Sequence, residues 1–379
     1  MDSYIPRSIS PFISDAHRHY PVTLLSGARQ VGKSTLCRHL FPDYRFVNLE
    51  NPTPRSIANA DPNGFLDSLG DTAIIDEAQN CPGLLSAIQA RVDENPKLRY
   101  VLTGSSDFAL MHTACQSLAG RVALFTLPPF TFGELGAERI GIPTEELIWG
   151  GFYPGVIANG ISPDVFYRNY YNTYIEKDVR NLLNVKNLNK FDIFMRLMAG
   201  RVGSESNASS LSAEVGVSSN TISEWVSILE ASYIIFPLRP YFANISKRLS
   251  KMPKWYFYDS GLAAYLLGVE APSQLSYHPL KGALFENMVV AEFMKRRLDI
   301  GKDTNLNFYR ERSGKEVDIL QTFPDGLRAY EIKSAKTFNS EFTTNLKYLK
   351  KSLPEPPVAS SVIYDGETFR PTAINLRDL

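Results

Sequence analysis

Residues 27–35 read GARQVGKST, and each residue type in that run has a task if the ligand is a polyphosphate. Gly27 and Gly32 let the backbone turn tightly, so that the N–H groups of Ala28, Arg29, Gln30 and Val31 face inward at phosphate oxygens. A helix opening near Gly32 adds its positive end at the same spot. Lys33 brings an ammonium to the β- and γ-phosphates, and Ser34, followed by Thr35, offers a hydroxyl to Mg²⁺. The run fills the pattern G-x-x-x-x-G-K-[ST], follows an apolar strand pattern and opens a helical one, which is the context the motif requires.

Two further groups of residues extend this chemistry. Thr72–Glu77 reads TAIIDE, an apolar strand ending in two acids. Asp76 suits direct or water-mediated contact with Mg²⁺, and Glu77 suits the base that orients an attacking water. Ser105 follows the strand pattern Arg99–Thr103, where a polar residue either senses the γ-phosphate or makes an ordinary turn.

The other group is Glu286, Asp318, Glu331 and Lys333, with one acid on a helical pattern and two on strand patterns. Such acids can hold Mg²⁺ while the lysine steers a water at phosphate. A Pro324–Asp325 turn pairs Asp318 with Glu331, and an Asp325–Gly326 turn pairs it with Lys333. Either register sets the three side chains on one face, whereas a three-residue loop does not.

The elements that must position these groups follow the chain. Strand patterns at Val22–Ser26, Arg45–Leu49, Ala73–Asp76, Arg99–Thr103 and Val122–Leu127 alternate with helical ones such as Leu84–Val92, which predicts a parallel sheet covered on both faces. Residues 135–206 read as mostly helical, with aromatic residues that serve packing. Residues 207–258 read as helix, turn, helix and two strands, the pattern of a winged helix-turn-helix. Its second helix carries Asn220, Thr221, Ser223 and Glu224 but no cation, while Lys247, Arg248, Lys251 and Lys254 lie in the wing. DNA contact and a packing module with a solvated basic loop both fit that pattern. Residues 259–379 open with helices and continue into strands at Asn307–Arg310, Glu316–Gln321 and Arg328–Ile332.

Bulk composition sets the limits. The chain has 379 residues, enough for two or three domains, with 44% hydrophobic and 21% charged residues, a balance typical of globular proteins. Forty basic and forty acidic side chains cancel, so no overall basic charge points to nucleic acid. Cys37, Cys81 and Cys115 have no metal-ligand spacing and read as reduced thiols. No secretory signal and no apolar run of ~20 residues is present, which places the expectation in the cytosol.

GARQVGKST, IIDEAQ, LTGSS and SLAGR, together with GGFYP, YDSGLAAYLLG and GALFEN further on, resemble a family of bacterial and archaeal AAA+-related P-loop ATPases. Their C-terminal domain has no assigned function. The resemblance covers nearly the whole chain and implies ATP and Mg²⁺ as ligands. It offers Arg121 of SLAGR as a residue that senses or stabilises γ-phosphate charge, a structural ion pair being the other reading.

Glu286, Asp318, Glu331 and Lys333 resemble the PD-(D/E)xK core of restriction endonucleases, with Val317 where that pattern has proline. The expected architecture is an α/β P-loop NTPase core with an AAA+-like parallel sheet (1–134), a helical region (135–206), a winged helix (207–258) and a restriction-endonuclease-like α/β domain (259–379). The expected function is Mg²⁺-dependent ATP hydrolysis coupled to the C-terminal domains. An ATP-regulated nuclease and a nucleotide-gated binding module with negligible turnover are the alternatives. A nucleotide is the expected partner. DNA, a protein partner or a second copy of the chain stay open, and no membrane is expected.

Overall fold

A computed structural model describes residues 4–104, 118–175, 188–241, 251–311 and 313–379. They form two compact units. One contains Met1–Phe130, Ala231–Tyr233 and Arg297–Asp303, and the other Thr131–Glu230, Ile234–Arg296 and Thr304–Leu379.

The first unit is built on a five-stranded sheet of order β2-β3-β4-β1-β5. Its strands are β1 (Val22–Ser26), β2 (Arg45–Asn48), β3 (Thr72–Asp76), β4 (Arg99–Thr103) and β5 (Val122–Thr126). Every pairing is parallel. Apolar residues run along β1, β3 and β4 without alternation because both faces are covered. Leu24, Ala73, Ile75 and Leu102 share a core with Phe65, Leu66, Leu84, Leu85 and Ile88, which come from α4 (Pro62–Leu69) and α5 (Pro82–Glu94). The alternate side chains Leu25, Ile74 and Val101 are buried too. Parallel pairing brings the C-terminal ends of β1, β3 and β4 to one edge, and the acids and the glycine-rich run sit there.

The second unit contains a seven-stranded sheet of order β12-β11-β10-β9-β8-β6-β7. Its strands are β6 (Ile235–Pro240), β7 (Lys254–Phe257), β8 (Leu306–Arg310), β9 (Glu316–Phe323), β10 (Gly326–Lys333), β11 (Ala359–Tyr364) and β12 (Ala373–Asn375). β6 and β7, the strands expected as a wing, pair antiparallel with each other, and β6 continues the sheet through β8. The boundary expected at residue 258 therefore falls inside a unit whose one sheet takes strands from both sides of it. An isolated two-stranded hairpin is marginal in water, and joining a larger sheet satisfies one of its edges. Upstream, the helices Ala208–Val215 and Ser219–Ala231 flank a turn that Gly216 stops at φ 73°. The hydroxyl of Ser218 accepts the Thr221 N–H to cap the second helix.

The motifs GGFYP and YDSG form a buried hub in this unit. The Asp259 carboxylate is 1% exposed and accepts from the Phe152 N–H at 2.6 Å, the Leu262 N–H at 3.0 Å and the Tyr167 hydroxyl at 2.7 Å. A Cβ at Gly261 would stand 2.4 Å from the Tyr167 hydroxyl, so only glycine lets the helix Ser260–Leu266 pass the ring. Tyr153, Phe166, Tyr167 and Tyr170 pack around the same point in tilted and edge-to-face pairs, which accounts for the aromatic content of the segment. Gly261→Ala is expected to destabilise the chain by about 1–3 kcal/mol through overpacking, read as a lower thermal midpoint. Gly200→Ala, with nothing within 4 Å of the added carbon, serves as the control. Equal midpoints for the two variants would refute the packing account.

Candidate functional site

The phosphate loop is tied down at several points. Ser26 ends β1, and its hydroxyl accepts from the Tyr233 hydroxyl at 2.8 Å and donates to the Phe125 carbonyl at 3.0 Å. Gly27 has φ 140°, and a Cβ there would lie 2.3 Å from the Leu127 carbonyl oxygen. Gln30 sits at φ 61° and Gly32 at φ 95°. A non-glycine residue in the left-handed region is uncommon, and surrounding contacts must hold it. The buried Arg7 guanidinium donates to the Val31 carbonyl at 3.0 Å and to the Pro128 carbonyl at 2.6 Å, clamping the loop against the chain that leaves β5. Ala28, Arg29 and Val31 complete the turn, with Arg29 paired to Glu50 at 3.4 Å.

Helix α2 (Lys33–Leu40) begins directly after Gly32, which has no side chain to cap it, and no side-chain cap is present among the described residues. Its first N–H groups are thereby left for an anion. Lys33 is 5% exposed, and its ammonium donates to the Gly27 and Ala28 carbonyls at 2.8 Å each. The cation thus lies within the loop it is expected to serve. The Ser34 hydroxyl donates to Asp76 Oδ1 at 2.7 Å, and the Thr103 hydroxyl donates to the same oxygen. Ser34 and Asp76 come from α2 and β3, so the two residues expected at the metal meet across elements. A hydroxyl and a carboxylate at a helix start are donors that fit Mg²⁺. A cavity of about 660 Å³ opens beside them, lined also by Thr35, Asn48 and Arg38, whose guanidinium lies 3.6 Å from the Phe46 ring centre.

Glu77 follows Asp76 with φ 56°, which turns the chain out of the strand. Its N–H donates to the Thr103 hydroxyl at 3.3 Å, and Gln79 donates to its carboxylate. Thr103 therefore touches both acids. The sequence reading passed over it in favour of Ser105, which lies outside the described residues. The available signal was a polar residue closing the otherwise apolar strand RYVLT. Arg7 carried no sequence signal, since it stands alone before α1 (Ser10–His19).

Arg121 is placed differently. It makes a bidentate ion pair with Asp93 and also donates to the Ala119 carbonyl at 2.9 Å. It precedes Val122, which is registered with Val22 at the start of β1, whereas the loop follows Ser26 at the other end. Five strand residues separate the two places, about 15 Å. Within one chain the fold does not bring Arg121 to the phosphate loop.

The C-terminal acids do converge. β9 and β10 pair through a Pro324–Asp325 turn, with Ile319 opposite Tyr330, so Asp318 and Glu331 follow as neighbours. Asp318 Oδ2 accepts the Ile332 N–H at 2.7 Å. The Lys333 ammonium sits 2.7 Å from Glu331 Oε1 and 4.0 Å from Asp318 Oδ2. Glu331 Oε2 is buried and has no hydrogen-bond partner among the described residues. Glu286, on the helix Lys281–Asp299, accepts from the Tyr256 hydroxyl at 2.6 Å. Burial first and the Asp318 charge second push Glu286 and Glu331 up to about 7.

Two residues absent from the sequence reading of this cluster join it. Lys254 pairs with Glu316 and lies 3.4 Å from Glu286. Glu316 stands two residues before Asp318 on the same strand face. Among the described residues, no three His, Cys, Asp or Glu side chains are placed to share a metal ion.

In the segment read as a winged helix, Trp225 is buried against Phe191 and Phe194. Asn220, Ser223 and Glu224 are exposed. Of the basic run, Lys251 is exposed and Lys254 is buried among acids, while Lys247 and Arg248 lie outside the described residues. Arg312 lies outside them as well.

The pH dependence of the loop follows from Lys33. Burial is the stronger influence and lowers its pKa to about 8, against the raising pull of Glu77 and Asp76. The unfolded chain holds that proton to about pH 10.4, so the burial penalty is present in full below pH 8 and fades as pH rises towards 10.4. Polyphosphate affinity moves the other way, because the anion requires the ammonium. The Kd for ATP is expected to be level up to about pH 8 and to weaken above it, with Lys33→Arg removing the dependence. A calorimetric Kd that stays constant in the wild type from about pH 7 to 9.5 would refute this assignment.

Three family models match successive parts of the chain. Residues 19–136 match the family described as AAA domain. Residues 143–273 match Domain of unknown function (DUF8612), and residues 281–378 match Domain of unknown function (DUF4143). An uncharacterized protein of Mycobacterium tuberculosis is 29% identical over 356 residues, covering 92% of this chain and 77% of its own length. An uncharacterized protein of Haemophilus influenzae is 22% identical over 319 residues, covering 80% and 74%. The Walker-type ATPase of Pyrococcus abyssi superposes with a TM-score of 0.46 at 16% identity, covering 68% of this chain and 94% of that one. No helix among the described residues is long and apolar enough to cross a membrane. The N-terminal unit combines a parallel five-stranded sheet with a glycine-rich loop ahead of α2, and its residues 19–136 are similar to the AAA domain family.

Proposed function

We propose that this chain binds Mg²⁺-ATP at residues 27–35 and hydrolyses it slowly in the cytosol, its nucleotide state biasing the C-terminal unit. The observation that carries the reading is the meeting of Ser34, Asp76 and Thr103 beside the buried ammonium of Lys33. Ser34 and Asp76 would hold Mg²⁺, which would supply positive charge against that of the phosphates. Lys33 exchanges the Gly27 and Ala28 carbonyls for phosphate oxygens and neutralises charge on the transferring group. Glu77 orients the attacking water and takes its proton. Thr103 holds Asp76 through its hydroxyl and fixes the backbone turn at Glu77, which makes it a positioning residue. Arg121, tied to Asp93 in its own chain, would serve a γ-phosphate only across the subunits of an oligomer.

Steady-state ATP turnover tests this reading. Lys33→Ala is expected to lose binding and turnover together. Glu77→Gln is expected to retain nucleotide binding and lose turnover by about a hundredfold or more, in the range for general-base removal. Glu77→Gln turnover equal to wild type would favour the nucleotide-gated binding module instead.

A second reading concerns the C-terminal unit. The β9–β10 register and the Glu331–Lys333 spacing support a PD-(D/E)xK-like arrangement aimed at a nucleic-acid phosphodiester. The helix-turn-helix with β6 and β7 then acts as a packing module, since its second helix exposes no cation and Lys254 is buried. Plasmid nicking with ATP and Mg²⁺ or Mn²⁺ tests it. Nicking that Asp318→Ala abolishes is the expected result, and nicking that survives Asp318→Ala assigns the cleavage elsewhere.

A further inference from the structure

Four acids of the second unit crowd one side of its sheet: Glu286, Glu316, Asp318 and Glu331. Two ammonium groups are set among them. Lys333 takes Glu331, as the E-x-K spacing implies. Lys254 is the unexpected one. It enters from β7, its side chain is 4% exposed, and it pairs with Glu316 while lying 3.4 Å from Glu286. The Phe308 ring centre lies 5.4 Å from its ammonium, so one flank is apolar. Tyr256, two residues along β7, donates to the same Glu286 oxygen that faces Lys254. Glu286 is therefore hydrogen-bonded to β7, while the Asp318 charge still reaches it. That engagement gives a physical reason why no three carboxylates stand ready to share an ion among the described residues.

We propose that the Lys254 ammonium takes the place of a divalent cation in this carboxylate cluster, so that metal binds there only when β7 withdraws Lys254. Two unit charges about 4 Å apart repel by several kcal/mol at the effective dielectric of a protein interior, and a divalent ion doubles that. The ammonium and the metal are thus alternatives, because each needs Glu286. An ordinary structural ion pair would also fill the space, but removing it would cost stability and leave metal affinity unmoved. The inference rests on the nuclease-like reading of these residues. Its measurement is metal binding rather than cleavage, so the two fail separately.

The test is Mn²⁺ titration of the full chain without nucleotide, followed by electron paramagnetic resonance. Lys254→Met keeps the length of the side chain and its packing on Phe308, and Lys254→Gln keeps a donor for the acids in case the first variant does not fold. At least one of them is expected to gain a site about tenfold or more tighter than wild type, and Asp318→Asn in the same background is expected to remove the gain. Lys254→Arg is expected to match wild type. Two results overturn the proposal: Mn²⁺ affinity in the wild type that Asp318→Asn already abolishes, or folded Lys254→Met and Lys254→Gln with wild-type Mn²⁺ affinity.

Discussion

One carboxylate oxygen organises the N-terminal unit. Asp76 Oδ1 accepts from Ser34 on α2 and from Thr103 on β4 while belonging to β3, so three elements meet on one atom. The meeting requires β3 and β4 to end at the edge where β1 runs into the loop. A parallel sheet with β4 beside β1 and β3 beside β4 provides that. The loop is then held from outside by Arg7 at Val31 and by Tyr233 at Ser26. With its backbone fixed beforehand, little further ordering remains when an anion arrives.

The second unit is governed by a related constraint, charge removed from water. A buried carboxylate or ammonium is tolerated only when paired or hydrogen-bonded. Asp259 meets the rule with two N–H groups and a tyrosine hydroxyl, and the neighbouring glycines exist to admit that hydroxyl. The acid cluster meets it with Lys254 and Lys333. In the first case the result is a rigid hub. In the second, the partners are themselves charged, so the pairing of each acid depends on where Lys254 and Lys333 are held.

The phosphate loop was legible because its chemistry is local: residues 27–35 contain the glycines, the lysine and the hydroxyl in one run, and the strand and helix around it show their own periodicity. TAIIDE was legible for the same reason. Thr103 was not, because a threonine ending a strand acquires meaning only when the strand order sets it beside Asp76. Arg121 looked like a phosphate-seeking cation by resemblance, and the register of β1 with β5 puts it at the far end of the sheet in its own chain.

The amino-acid order alone determined the phosphate-binding turn and the parallel α/β pattern around it, since each depends on near neighbours in the chain; it left two registers open at residues 323–326, and the structure chose the one that aligns Asp318 with Glu331. Tertiary structure decided everything that depends on distant residues. It joined β6 and β7 to the C-terminal sheet, because a lone hairpin leaves both edges unpaired. It also moved Lys254 from a basic surface run into the acid cluster. A lysine reads the same in sequence whether water or carboxylates surround it, and only the tertiary placement of Lys254 between Glu286 and Glu316 chooses between them.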